Sequence, residues 1–140
     1  MSYATQKDAE DRWGRENIAT WGNLDGDTAA ARKDRVDAAI RYADGYINDR
    51  FRGGRYTVPF AALDTTALDV VRTWATALVA WWLRGSRPEG GEADPLAEAI
   101  SNAKEAADDE MGAYLSGQRS LNAQPVTAGS GGRATAPVVV

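Results

Sequence analysis

The stretch from Asp64 to Arg84, DTTALDVVRTWATALVAWWLR, constrains this chain most. Leu68, Val71, Ala75, Leu78 and Trp82 recur at helical spacing, and Val70, Trp74 and Trp81 widen the row well beyond one face. A helix that is apolar on more than one side has to be covered on more than one side. It is therefore expected at the centre of a bundle or against a neighbouring subunit. Its greasiest run, Ala75 to Leu83, is far short of the roughly 20 residues that cross a bilayer, so protein and not membrane is the expected cover. Adjacent Trp81 and Trp82 cannot both point the same way on a helix, and one of them is expected on a second, interface-like surface.

Around that helix the sequence predicts an all-α fold, a small bundle of about four helices with a short extended segment. Thr5 followed by Asp8 reads as a capped helix start running to about Trp13, with Gly14 ending it and a further helical piece through Ile18 to Trp21. Thr28 caps a long helix whose stripe is Val36, Ile40, Ala43 and Ile47, widened by Ala39 and Tyr46 and ending near Arg52 at Gly53-Gly54. Residues 55–60, RYTVPF, read as extended, since Pro59 pushes Val58 out of helical geometry. Asp94-Pro95 is a helix start, and the helix it opens runs to about Ser116, where Gly117 ends it. Its thin apolar face is Leu96, Ile100, Ala103, Ala107 and Tyr114; Glu98, Glu105, Asp108, Asp109 and Glu110 line the other side. The expected division is a helical domain over 1–117 and a Gly/Ala/Pro-rich arm over 118–140. That arm has no helical period, and alone it is expected to lack a fixed structure. Its Val126 and Val138-Val139-Val140 suit pairing with a partner's sheet edge.

Function is bounded first by what is missing. The 140 residues include no cysteine and no histidine. Disulfides, thiolate nucleophiles and thiolate metal sites are excluded, and the commonest neutral-pH base and transition-metal ligand are absent. An enzyme is the least expected class, and no cofactor is expected. The first residues are charged, with no apolar core of a secretory signal. Asn23, Asp25 and Asp27 imitate the start of a calcium loop, but Thr28 stands where that loop needs glycine. The plainer reading is a turn and a helix cap. Asp108-Asp109-Glu110 are consecutive and diverge on a helix, so a solvated acidic face is expected in place of a metal site.

Charge is uneven. Residues 28–63 carry seven cations against four anions, whereas residues 89–117 carry one cation against eight. Arg50, Arg52 and Arg55 crowd the join between the long helix and RYTVPF. They could favour the negative end of the helix dipole, or pair with the acidic helix of the same chain or of a neighbour. They could also track phosphates, which makes a small nucleic-acid-binding protein the second functional reading.

The opening MSYATQKDAEDRWG, the loop LDGDT, the helix VDAAIRYADGYINDRF and the following GGRYTVPF together resemble a protein family of Mu-like and related long-tailed phages and prophages. The resemblance spans roughly residues 1–117. It is most specific over Ala39–Pro59, where Ile47, Arg55, Tyr56 and Pro59 approximate the family pattern. The second glycine and extra arginines before Tyr56, and the Gly-rich tail, depart from it. The family looks like the head-completion, or head–tail adaptor, proteins. The resemblance implies a helical virion subunit, made in the host bacterial cytoplasm and placed in the neck, in a ring of about twelve copies under the portal. Its implied partners are itself, the portal protein and a neck (stopper) or tail-completion protein, with DNA passing through the channel without specific binding. On that view Arg50, Arg52, Arg55, Tyr56, Val58, Pro59, Phe60, Trp81 and Trp82 are expected at subunit, portal or neck contacts. Glu98, Glu105, Asp108, Asp109 and Glu110 are expected to face the lumen or a neighbour, and Val126 and Val138 to Val140 to form the arm.

Overall fold

The computed structural model describes residues 2–23, 28–85 and 96–121. Among the described residues five helices follow one another in this order: α1 (Gln6–Trp13), α2 (Arg15–Gly22), α3 (Ala29–Phe51), α4 (Thr65–Gly85) and α5 (Ala97–Leu115). The described residues contain no strand, so the fold is all-α. The starts follow local chemistry. In α1 the Asp8 amide donates to Thr5 Oγ1 at 3.1 Å and the Thr5 amide to Asp8 Oδ2 at 2.9 Å, a reciprocal capping box. Thr28 accepts from the Ala31 amide to open α3, and Asp64 accepts from the Ala67 amide to open α4. Gly14, at φ 100°, separates α1 from α2, giving five helices where the sequence suggested about four.

Helix α4 packs against α1, α2, α3 and α5. From Trp74 to Ala80 every residue is buried, as are Ala67, Val71 and Leu83. The expected row is shifted in detail. Leu68 and Trp82 are only half-buried, and the small residues Ala77 and Ala80 with Val79 take the second buried side. Thr76 is the buried polar residue of this helix. Its hydroxyl donates to Thr73 O at 3.2 Å and accepts from Arg12 Nη1 at 3.0 Å. Arg12 also donates to Thr73 O at 2.7 Å, and Trp13 Nε1 donates to Thr76 O at 3.0 Å, so polar groups of α1 seal this side of α4. Desolvation lowers the Arg12 pKa from its ordinary value.

The core's densest part is aromatic. Phe51 stacks on Trp74 at 5.7 Å between ring centroids and meets Phe60 edge-on at 5.1 Å and Tyr56 at 6.0 Å. Tyr114 of α5 closes on Trp74 at 5.5 Å. RYTVPF is therefore a core-bearing loop. Tyr56 and Phe60 point inward, Thr57 and Pro59 outward, with Val58 half-buried and the Val58–Pro59 peptide cis. Packing also continues past the expected end of the domain. Gly117 terminates α5 at φ 88°, yet the amides of Gln118 and Arg119 both reach Ala113 O. Leu121 is buried, with its amide donating to the Tyr56 hydroxyl at 2.8 Å. The expected start at Asp94-Pro95 lies outside the described residues; Leu96 stands at the N-cap of α5 without a side-chain cap bond.

Truncating the centre of this cluster should be severe. Phe51→Ala is expected to cost about 3–5 kcal/mol by lost burial plus the cavity left behind. Tyr56→Phe, which removes only the hydroxyl that holds Leu121, should cost about 1 kcal/mol. Urea unfolding of the two variants checks both values, and equal losses would show that the ring cluster is not the core's centre.

Candidate interaction surface

Helix α5 is fastened to α3 at Asp108 and Lys104. Asp108 Oδ1 accepts from the Tyr46 hydroxyl at 2.7 Å and from Arg50 Nη1 at 3.1 Å, and its Oδ2 accepts from Lys104 Nζ at 2.8 Å. Arg50 also donates to Asp108 O at 3.2 Å. Partial burial works against the charge on Asp108, but the hydrogen bonds of Lys104 and Tyr46 outweigh it and hold the carboxyl below its ordinary range. Lys104 is opposed by burial too, and the same bonds to Asp108 and Tyr46 hold its ammonium above the ordinary lysine range. On the other edge of α5, Glu110 accepts from Trp74 Nε1 at 2.7 Å and from Arg119 Nη1 at 2.9 Å. Arg55 donates to Tyr114 O at 3.3 Å.

An aromatic ladder runs beside this clamp. Tyr42 lies nearly parallel to both Trp81 and Trp82, each at 6.3 Å. Lys104 Nζ sits 4.8 Å from the Trp81 ring centroid and 5.1 Å from that of Tyr46, and the Arg35 guanidinium is 5.7 Å from Trp82. Trp81 is 40% exposed, the exposed large hydrophobic among the described residues. A tryptophan left open, with its ring braced by a stacked tyrosine and a cation, is chemically suited to bind a partner.

The residues expected at interfaces thus divide. Tyr56 and Phe60 are used inside the chain's own core, and Arg50 and Arg55 hold α5 of the same chain. Arg52 is exposed, bonded to Asp49 three residues back. Val58 and Pro59 are half-buried and exposed, Trp82 is half-buried and Trp81 is open. The acidic set also divides. Glu98, Glu105 and Asp109 are exposed, whereas Asp108 and Glu110 are internal acceptors for groups of α3 and α4. Asp108 and Glu110 depart from the expected solvated face because adjacent helical residues reach different neighbours. Sequence reasoning missed Tyr42 and Lys104, although Lys104 is the single cation of the acidic segment, a signal in itself. It also missed Tyr3, whose hydroxyl donates to Asn48 at 2.5 Å and accepts from the Phe60 amide at 2.7 Å. Asp25 and Asp27 of the calcium-like loop, and Val126 and Val138 to Val140, lie outside the described residues. Among the described residues no group of three or more acidic, histidine or cysteine side chains is placed to hold a metal ion, and no helix is long and apolar enough to cross a membrane.

The family model described as "Bacteriophage Mu, Gp36" matches residues 3–94. That covers α1 to α4 and the RYTVPF loop, well over half of the chain, and the chain belongs to this phage protein family. The match stops short of α5. No curated protein matches the sequence.

The Asp108 clamp gives a pH signature. A lowered carboxyl stabilises the fold fully above the unfolded-state value of about 4 and loses that effect as pH falls through the folded value. A raised lysine stabilises below about 10.4 and loses its effect as pH rises through the folded value. Asp108→Asn is expected to cost about 1–2 kcal/mol at pH 7, the clamp being partly solvated. The difference from wild type should shrink at pH 3. Urea titrations at both pH values decide it; a cost unchanged at pH 3 would mean that shape, not charge, fastens α5.

Proposed function

We propose that this member of the Mu Gp36 family is a structural protein of the phage virion: a head–tail adaptor subunit that forms a ring beneath the portal, extends the DNA channel and joins the capsid to the neck. The observation that carries the reading is the family match across α1 to α4. The site supports it in kind. What the fold leaves open is a binding surface: Trp81 on its ladder, the exposed Pro59 and Arg52, and the acidic row Glu98, Glu105 and Asp109.

Unlike faces suit a ring, where each subunit sets one surface against a different surface of the next. In this reading Trp81 anchors the contact with a neighbour or the portal. The acidic row of α5 lines the lumen, where it keeps passing DNA from adhering. Because Arg50 and Arg55 are engaged within the chain, the nucleic-acid-binding alternative has lost much of the cluster it needed. The arginine with an open side chain in that cluster is Arg52.

Native mass spectrometry of the protein, alone and with portal rings, tests the proposal. The expected result is a ring of about twelve copies, free or only on the portal. Trp81→Asp should reduce ring formation at least tenfold while leaving the monomer's helical circular dichroism intact, as loss of one anchoring side chain does at interfaces. A monomer that ignores the portal would overturn the adaptor reading. If that monomer bound DNA with a steep loss of affinity in salt, the nucleic-acid reading would take its place.

A further inference from the structure

A second opening lies at the other end of α4 from the ladder. Tyr3, Phe60, Ala61, Ala62, Leu63 and Leu68 surround a cavity of about 200 Å³, open to solvent and lined mainly by apolar groups. An apolar cavity of about 150 Å³ is enough to take up benzene, so this one has room for an aromatic side chain. The described fold thus carries both an exposed tryptophan and a hole that admits one.

The two cannot meet within one copy. Leu68 and Trp81 stand on the same helix, about 20 Å apart along its axis. Two copies set head to tail bring them together. The surroundings match in charge as well. Lys104 stands over the Trp81 ring, Arg35 over that of Trp82, and Arg84 lies in the last turn of α4. At the cavity, Asp64 and Asp69 are exposed on either side of Leu68, with Arg72 bonded to Asp69, and Asp44 accepts from the Tyr3 amide. A mainly cationic rim around the knob therefore meets a mainly anionic rim around the hole. Two tryptophans set against each other would bring like charges together, so charge favours the unlike pairing.

We propose that Trp81 of one copy seats in this cavity of the next, the open part of its indole against Phe60, Leu63 and Leu68. Such a contact sets one surface against a different one. It repeats from copy to copy, closing into a ring or running on as a filament. It rests on the reading of Trp81 as an anchor between neighbours, and it names the surface to which that residue is anchored.

Two variants of the full chain break the contact from opposite sides. Trp81→Asp removes the knob, and Ala61→Asp places a charge on the wall of the hole. Both positions are exposed, and helical circular dichroism verifies the fold of each variant. Native mass spectrometry at raised protein concentration, alone and with portal rings, reads assembly. Each variant by itself should lose at least tenfold in self-association, as loss of an anchoring pair does at interfaces. An equal mixture should give a one-to-one dimer that grows no further, since Trp81 of the Ala61→Asp chain still finds an intact hole in the Trp81→Asp chain. A mixture that stays monomeric while wild type assembles overturns the pairing. So does a loss confined to Trp81→Asp, which would assign the tryptophan to the portal or to a two-fold contact. Rings that persist in both variants overturn the pairing and leave the adaptor reading standing. Dimers that form on mixing, with no chain binding the portal, keep the pairing and overturn the adaptor reading. A wild type that stays monomeric with and without the portal overturns both.

Discussion

The need to bury α4 on nearly every side governs the rest of the structure. Seven consecutive residues from Trp74 to Ala80 are withdrawn from water. One neighbouring helix covers a stripe; a full turn of covered residues needs neighbours all round. The long α3 and α5 take the broad sides, and the pair α1–α2 takes what remains. That last side carries polar backbone and Thr76, which explains why Arg12 and Trp13, not aliphatic residues, are presented there.

Polar contacts fix α5 against that centre. Fourteen of the 19 residues of α5 are charged or small, its apolar face is thin, and area alone would hold it weakly. Asp108 and Glu110 supply the missing specificity: one fixes the helix to Tyr46 and Arg50 of α3, the other to the indole of Trp74. All three bonds are accepted by carboxyl groups, and charge-assisted hydrogen bonds are about twice as strong as neutral ones.

Helices were legible wherever local chemistry and periodicity agreed. The Thr5–Asp8 box, the Thr28 cap, the stripe Val36–Ile40–Ala43–Ile47 and the all-round burial of α4 are each written in a few neighbouring residues. The site was less legible, because its pairs are far apart in sequence. Arg50 meets a carboxylate 58 positions away, and the Tyr56 hydroxyl meets an amide 65 positions away. RYTVPF shows the limit clearly. Alternation announced that Tyr56 and Phe60 share a side, but nothing local says whether that side faces the chain's own core or another molecule. Trp81 and Trp82 pose the same question: on the same helix Trp82 is half-buried and Trp81 is left open, both beside Tyr42.

The boundary between Trp74 and Glu110 also has a bearing on inheritance. Trp74 lies inside the region shared with the Mu Gp36 family, while the carboxylate that receives its indole N–H belongs to a helix beyond that region. A buried donor without an acceptor is costly. Any relative that keeps a tryptophan here but ends in a different helix must bring its own acceptor to the same point. The shared core therefore dictates one atom of a segment that is otherwise free to diverge.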